Sequence, residues 1–232
     1  MAPLYNNGIP EKERRGMIFV EGGMFNMGSQ EGESDEMPIH NVFVNSFWID
    51  KFPVTVKEYH LYCGSVGIEF PIQPDWEYNE ELPVVNVTWE NAVDYAKWVG
   101  KRLPTEAEWE FAANGGIYSK KTLYSGSNNI DEVAWYSKNC DSTCKIGLKK
   151  PNELGIFDLS GNIWEWCNDW YSEEYYHERT ENNPKGPVNG NQKVLRGGSY
   201  FNDSYFLRNT NRHRFAQNRG NSMIGFRCAK NL

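Results

Sequence analysis

Residues 151–170 read PNELGIFDLSGNIWEWCNDW, and residues 195–200 read LRGGSY. Each run packs glycines and asparagines against large rings. Backbone freed by glycine beside bulky aromatics marks irregular structure locked by side chains rather than by long ladders. Trp164, Trp166 and Trp170 alternate or nearly so, as core and interface pillars would, and short strands are expected at 163–166, 193–196 and 225–229. Working outward, the first half has clearer signals. Thr55 with Glu58 forms a capping box that opens a helix towards Gly64. Thr88 caps a helix with Ala92, Val93, Ala96 and Val99 on one face, closed by Gly100. Thr105 with Glu108 is a second capping box, and Gly115–Gly116 stops that helix. Glu106, Glu108 and Glu110 read as caps, ion pairs and a solvated face. Trp89, Trp98 and Trp109 ride on these helices towards the core. Residues 17–27 (MIFVEGGMFNM) read as a hairpin about Gly22–Gly23, and residues 41–49 as one further strand. Beyond residue 116 no helical periodicity persists.

The 232 residues suffice for one sizeable core, with about 70% of the unfolded surface buried. The net charge of −7 argues against a nucleic-acid partner, because phosphate contacts need clustered Lys and Arg. No apolar run is long enough to span a membrane. Five cysteines, of which only Cys140 and Cys144 lie close together, make neither a disulfide scaffold nor a zinc pattern; that pair reads as free thiols or a loop disulfide. Residues 1–16 are expected to be a loose arm, and 17–232 a single α+β domain, helices early and irregular β late.

Five runs occur in order: GGMFNMGS (22–29), DEMPIHNVFVNSFWIDKFPVT (35–55), LPVVNVTWENAVDYAKWVGKRLPTEAEWEFAANGG (82–116), PNELGIFDLSGNIWEWCNDW (151–170) and LRGGSY…IGFR (195–227). Together they resemble the formylglycine-generating enzyme, or sulfatase-modifying factor, family. The resemblance implies a C-type-lectin-like fold with few helices. It does not settle activity, since one fold hosts unrelated functions.

Catalytic members of that family hold copper with two cysteines at the third and eighth positions past the Arg-Gly-Gly-Ser serine. Here those positions are Asn202 and Leu207. Neither an amide nor an isobutyl group replaces a soft thiolate, so no copper is expected and formylglycine generation is disfavoured. A second branch uses non-haem iron held by a His-rich domain; His40, His60, His177 and His213 lack such spacing, so no iron is expected. Ser199 does not sit in a Gly-x-Ser-x-Gly elbow, and no catalytic residue is assigned. Family members bind calcium at positions matching Asp158, Gly161, Ile163 and Glu165, which implies a structural calcium on hard oxygen ligands here. The alternative is that these carboxylates cap turns and pair with Arg.

Residues 200–222, YFNDSYFLRNTNRHRFAQNRGNS, resemble the variable region of diversity-generating retroelement proteins, which display changeable residues on this fold. Randomised codons there never yield Met, Trp, Lys, Glu or Gln, and of these the segment holds only Gln217. Independently, rings interleaved with short polar groups suit an adaptable binding surface. Arg208, Arg212, Arg214 and Arg219 face a single Asp203 in charge count; Arg208, Arg212 and Arg219 are expected to pair with internal carboxylates, leaving Arg214 freer. The expected face comprises Tyr200, Asn202, Asp203, Tyr205, Phe206, Asn209, His213, Phe215, Asn221 and Ser222, and its ligand is a protein or glycan. Residues 171–176 are expected to form an exposed loop beside it. Two other readings compete: a metal-dependent oxidoreductase with an unrecognised site, and a structural subunit of a surface assembly. A cell-surface or extracellular location follows only if a leader precedes the chain, and the oligomeric state is left open.

Overall fold

The computed structural model describes residues 16–74, 79–178 and 181–232; the expected arm lies almost wholly outside them. Strands β1 (Met17–Val20), β4 (Phe47–Asp50) and β9 (Ala229–Asn231) form one antiparallel sheet in the order β1-β4-β9. A second sheet joins β2 (Gly23–Met27) to β3 (His40–Val44). The third runs β7 (Arg212–Phe215), β6 (Lys193–Arg196), β5 (Trp164–Trp170) and β8 (Ile224–Gly225), with β5 and β8 parallel.

The helices follow their capping boxes. α1 (Val56–Val66), α2 (Trp89–Trp98) and α3 (Glu106–Ala113) start at Thr55, Thr88 and Thr105, whose side chains accept the backbone N–H of the third helical residue. α1 runs past Gly64 to a left-handed cap at Gly67. A single further turn, α4 (Ile130–Val133), carries no periodicity long enough to read. Among the described residues, these four helices and three small sheets make a mixed α+β architecture.

Three expectations on strands are corrected. Residues 17–27 are two strands but no hairpin, since β1 and β2 pair in different sheets. At Gly22 a Cβ would lie 2.5 Å from the Val44 carbonyl oxygen, so the chain crosses tightly against β3 instead of turning back on itself. Residues 41–49 break into β3 and β4, and residues 225–229 into the end of β8 and the start of β9.

α3 is the axis of the molecule. It touches β2, β3, β5 and β6, and every residue of it except Glu108 is buried. The expected solvated face is therefore absent: Glu106 and Glu110 are 2% and 0% exposed. Their charges are met from the third sheet. Glu110 pairs with Arg196, and Glu106 takes both Nε and Nη2 of Arg212, at 2.7 and 3.0 Å. Burial opposes ionisation of Glu106, but Arg212 and Arg196 hold its carboxyl below the ordinary range. Trp109 is fully buried, Trp89 is half-buried, and Trp98 stays about half exposed against Tyr62, contrary to a core role. Residues 171–176 are not an exposed loop at their end: Tyr175 and Tyr176 are buried, and the Arg212 guanidinium stacks 4.1 Å from the Tyr176 ring.

Candidate functional site

Segment 200–222 leaves the third sheet through the Arg196-Gly197-Gly198-Ser199 turn. Gly198 has φ +75°, and a Cβ there would meet the Leu207 side chain at 2.6 Å. The turn is closed by Asn202, whose Oδ1 accepts the Ser199 N–H and hydroxyl at 3.1 and 2.7 Å. The Asn202 carbonyl in turn accepts the Ser137 N–H at 3.0 Å. Leu207, fully buried, packs with Tyr124, Val133, Ala134 and Tyr136. The two positions at which the resemblance expects copper-holding cysteines are thus a turn-closing amide and a core leucine.

The remaining thiols are elsewhere. Cys63, Cys167 and Cys228 are buried, and burial pushes all three thiols up, away from thiolate. Cys140 and Cys144 form a disulfide. Its loop is tied to the segment, because the Asn162 side chain bonds both the N–H and the carbonyl of Cys144 at 2.9 Å, while the Asn162 carbonyl accepts the Tyr200 N–H.

Between the buried ends, the chain alternates outward and inward. Phe201 is 70% exposed, Asp203 is exposed, and Tyr205 is 39% exposed, on a 3-10 turn at Ser204–Leu207 that Asp203 caps through the Tyr205 N–H. Phe206 is half-buried and meets the Tyr205 ring edge-on at 5.8 Å. His213 is exposed on β7 and lies over Trp164, ring centroids 4.9 Å apart. Partial burial of its ring against Trp164, reinforced by Arg214, keeps it below the ordinary histidine value. Phe215 lies half-buried against Trp166. Asn221 and Ser222 are half-buried; Asn221 accepts the Met223 N–H, and Ser222 Oγ lies 3.4 Å from the Tyr200 hydroxyl.

Two expected face residues point inward. Tyr200 is 6% exposed. Asn209 is 2% exposed and donates to Asn114 Oδ1 and the Thr122 carbonyl, which fixes the turn to the segment after α3. Phe201 was not among the expected residues, although its place between an inward Tyr200 and a turn-closing Asn202 sends it outward.

The arginines divide by depth. Arg208 grips Glu36 with Nη1 and Nη2 at 2.8 and 2.7 Å, and Arg212 holds Glu106. Arg219, expected to pair inside, is exposed and has no ion pair among the described residues. Arg214 stacks on Tyr171 at 4.5 Å and donates to its hydroxyl. Glu36, from a 3-10 turn more than 170 residues earlier, is the anchor that the segment alone does not reveal.

The second candidate is the buried group of Asp158, Gly161, Ile163 and Glu165. Glu165 is fully buried; its Oε2 accepts from Arg227 Nε and Trp109 Nε1, and its Oε1 from Arg227 Nη2, at 2.7–2.8 Å. So Oε1 keeps an open lone pair. Asp158 is 4% exposed and accepts the Gly147 N–H. Burial pushes its carboxyl up to about 6 against the pull of Gly147 and Arg227, and Glu165 adds to the rise. Two buried carboxylates thus face one guanidinium. With only two carboxylates the group is no cluster of three or more His, Cys, Asp or Glu, and none occurs among the described residues. The remaining donors would be carbonyls, and this hard, oxygen-only, net-negative set fits a calcium ion.

Across residues 6–232 the chain matches the sulfatase-modifying factor enzyme 1-like domain. It is 38% identical over 241 residues to the serine/threonine-protein kinase pkn1 of Chlamydia pneumoniae, covering 93% of this chain but 38% of that protein. The chain therefore spans about two fifths of that relative's length. It is 31% identical over 286 residues to the formylglycine-generating enzyme of Streptomyces coelicolor, covering 94% of this chain and 90% of the enzyme. Among solved structures, Treponema denticola variable protein 1 superposes with a TM-score of 0.81 at 25% identity, over 93% of this chain and 95% of the other. No helix among the described residues is long and apolar enough to cross a membrane.

Proposed function

This chain belongs to the sulfatase-modifying factor enzyme 1-like family, and on that premise we propose that it is a ligand-binding protein of the variable-protein kind, with residues 200–222 as its recognition face. The observation that carries the reading is the fate of the two copper positions. Asn202 closes a turn and Leu207 fills the core, while Phe201 just before them, and Asp203 and Tyr205 between them, stand outward at the start of the 3-10 turn. His213, with Phe215 partly exposed beside it, extends the face along β7. An exposed phenylalanine beside an exposed tyrosine favours a protein partner over a glycan on this face, because large rigid rings supply most of the energy at protein contacts. The likeness to Treponema denticola variable protein 1 supports the same reading.

Calcium enters as a structural part of this proposal. Asp158 and Glu165 would hold it through carboxylate oxygens, Gly161 and Ile163 through carbonyls. Bound there, the ion supplies the positive charge that Arg227 alone leaves short.

The test uses a displayed protein library and immobilised wild-type chain, compared with a variant carrying Asp203→Ala, Tyr205→Ala, His213→Ala and Ser222→Ala. The proposal expects the variant to lose the clones that wild type enriches. Capture of the same clones by both proteins would overturn the assignment of the face. Alleles from independent isolates give a second reading: codons 200–222 should differ where codons 151–199 do not.

A further inference from the structure

A large cleft of about 840 Å³ lies where β3, β9 and the start of α3 meet, and no residue of 200–222 lines it. Its volume is in the ~300–1,000 Å³ range of small-molecule sites. Four asparagines converge on it: Asn45, Asn168, Asn183 and Asn231. The Asn45 and Asn168 side chains make no hydrogen bond among the described residues, and both residues are exposed. Asn168 is the one exposed position on β5. Asn183 and Asn231 commit only their carbonyl oxygens, to the Asn45 N–H and to Arg102 Nε, which leaves each amide NH₂ to be met. The Ser46 and Thr105 hydroxyls accept from Gly22 and Glu108 and keep their own protons to donate.

Charge and apolar character exclude other occupants. Arg102 spends its fork on Glu108, at 2.6 and 2.7 Å, and its Nε on Asn231. Lys185 is then the one cation in the lining without an ion pair among the described residues, too little for a phosphate or nucleotide. Phe43 offers one half-buried ring and Leu232 one exposed side chain, while Val44 and Leu103 are buried, which falls short of the apolar lining of a hydrophobic ligand site. The walls are also fixed in place. The Arg102–Glu108 pair is welded to the α3 capping box, since Glu108 Oε2 accepts the Thr105 N–H as well, and Asn183 pins the loop after β3.

We propose that this cleft is a second binding site, which takes a neutral oligosaccharide. A side-chain amide presents a donor and an acceptor side by side, which matches the paired donor and acceptor character of vicinal hydroxyls, and a single ring suits the apolar face of one sugar. A lining whose one unpaired charge is Lys185, with many spare amide and hydroxyl valences, suits a polyol. The site is independent of the recognition face, so either can fail alone.

The experiment is an array of neutral oligomers of glucose, mannose, xylose and N-acetylglucosamine, with sulfated and sialylated glycans alongside, probed with the labelled whole chain and followed by titration calorimetry on the best oligomer. At least one neutral oligomer should bind. Asn45→Ala/Asn168→Ala removes exposed side-chain groups that bond nothing among the described residues, so the melting temperature should stay at the wild-type value. It should weaken sugar binding roughly tenfold, as loss of two hydrogen bonds implies. Phe201→Ala/Tyr205→Ala should leave it unchanged. No neutral oligomer above background would overturn the proposal. So would binding confined to sulfated or sialylated glycans, or binding weakened by the face variant and not by the cleft variant.

Discussion

Replacing Glu36 by Gln tests whether segment 200–222 is held from beneath. Glu36 is fully buried and accepts five hydrogen bonds: two from Arg208, one from the Thr210 hydroxyl at 2.7 Å, one from the Glu33 N–H and a long one from Asn211. Arg208 is 6% exposed, and its Nε also holds the Tyr205 carbonyl. The amide keeps the shape and removes the charge, which strands a buried guanidinium at a cost of about 3–5 kcal/mol. For a domain of this size that lowers Tm by roughly 10 °C. Urea titration followed by tryptophan emission would measure it. The pH dependence gives an independent check. Burial works against Glu36, but the bonds from Arg208, Thr210 and Glu33 hold its carboxyl below the ordinary 4.5. A depressed carboxyl stabilises the fold above its unfolded pKa, and that stability is lost as pH falls through the folded value. The gap between wild type and Glu36→Gln should therefore be full at pH 7 and shrink below about pH 4.5. Glu36→Gln/Arg208→Met should cost well under the sum of the single variants. A loss under ~1 kcal/mol, the range of an exposed pair, or a gap that ignores pH would refute the reasoning.

Other outcomes follow from the same structure. Saturating calcium, at a hundred times Kd, should stabilise the wild type by about 2.7 kcal/mol, and Asp158→Ala should abolish that increment; melting curves that are identical with chelator and with calcium would remove the ion from the account. Asn209→Ala should cost about 1–3 kcal/mol because it strips partners from Asn114 and Thr122, whereas Asp203→Ala should cost about 1 kcal/mol, a lost cap on an exposed turn; equal losses in chemical denaturation would contradict the inward placement of Asn209. Gly198→Ala places a methyl carbon 2.6 Å from Leu207 at a left-handed position, and it should fail to accumulate as soluble protein or lose at least ~2 kcal/mol. A melting point like wild type would show that the turn can open.

Legibility followed distance along the chain. The two capping boxes at Thr55 and Thr105 and the N-cap at Thr88 read correctly because donor and acceptor lie three residues apart; that Thr88 also forms a box, with Asn91, did not read. The residues 193–196 strand matches β6 residue for residue. Pairing did not read as well: β1 meets β4 and β2 meets β3, although a Gly-Gly step between two short apolar runs is locally a hairpin signal. Glu106 and Glu110 looked solvated because their counter-ions, Arg212 and Arg196, come from strands about a hundred residues later. At the candidate face, the absence of cysteine at positions 202 and 207 was visible once the family resemblance had marked them. The inward turn of Asn209 and the outward turn of Phe201 were not, since both depend on how the segment docks against Leu123 and Asn162.

The arginine anchors of segment 200–222 also bear on how such a protein can change over generations. Arg208 and Arg212 sit in the same run of sequence as Phe201, Asp203, Tyr205 and His213, yet their charges are met by Glu36 and Glu106, which lie far outside it. Novelty at the outward positions therefore leaves the supporting ion pairs untouched, whereas a single exchange at either arginine unseats the whole run. Exchanges at Phe201, Tyr205 and His213 thus carry little thermodynamic risk, provided that the two anchors and the inward Tyr200, Asn202, Leu207 and Asn209 are copied faithfully.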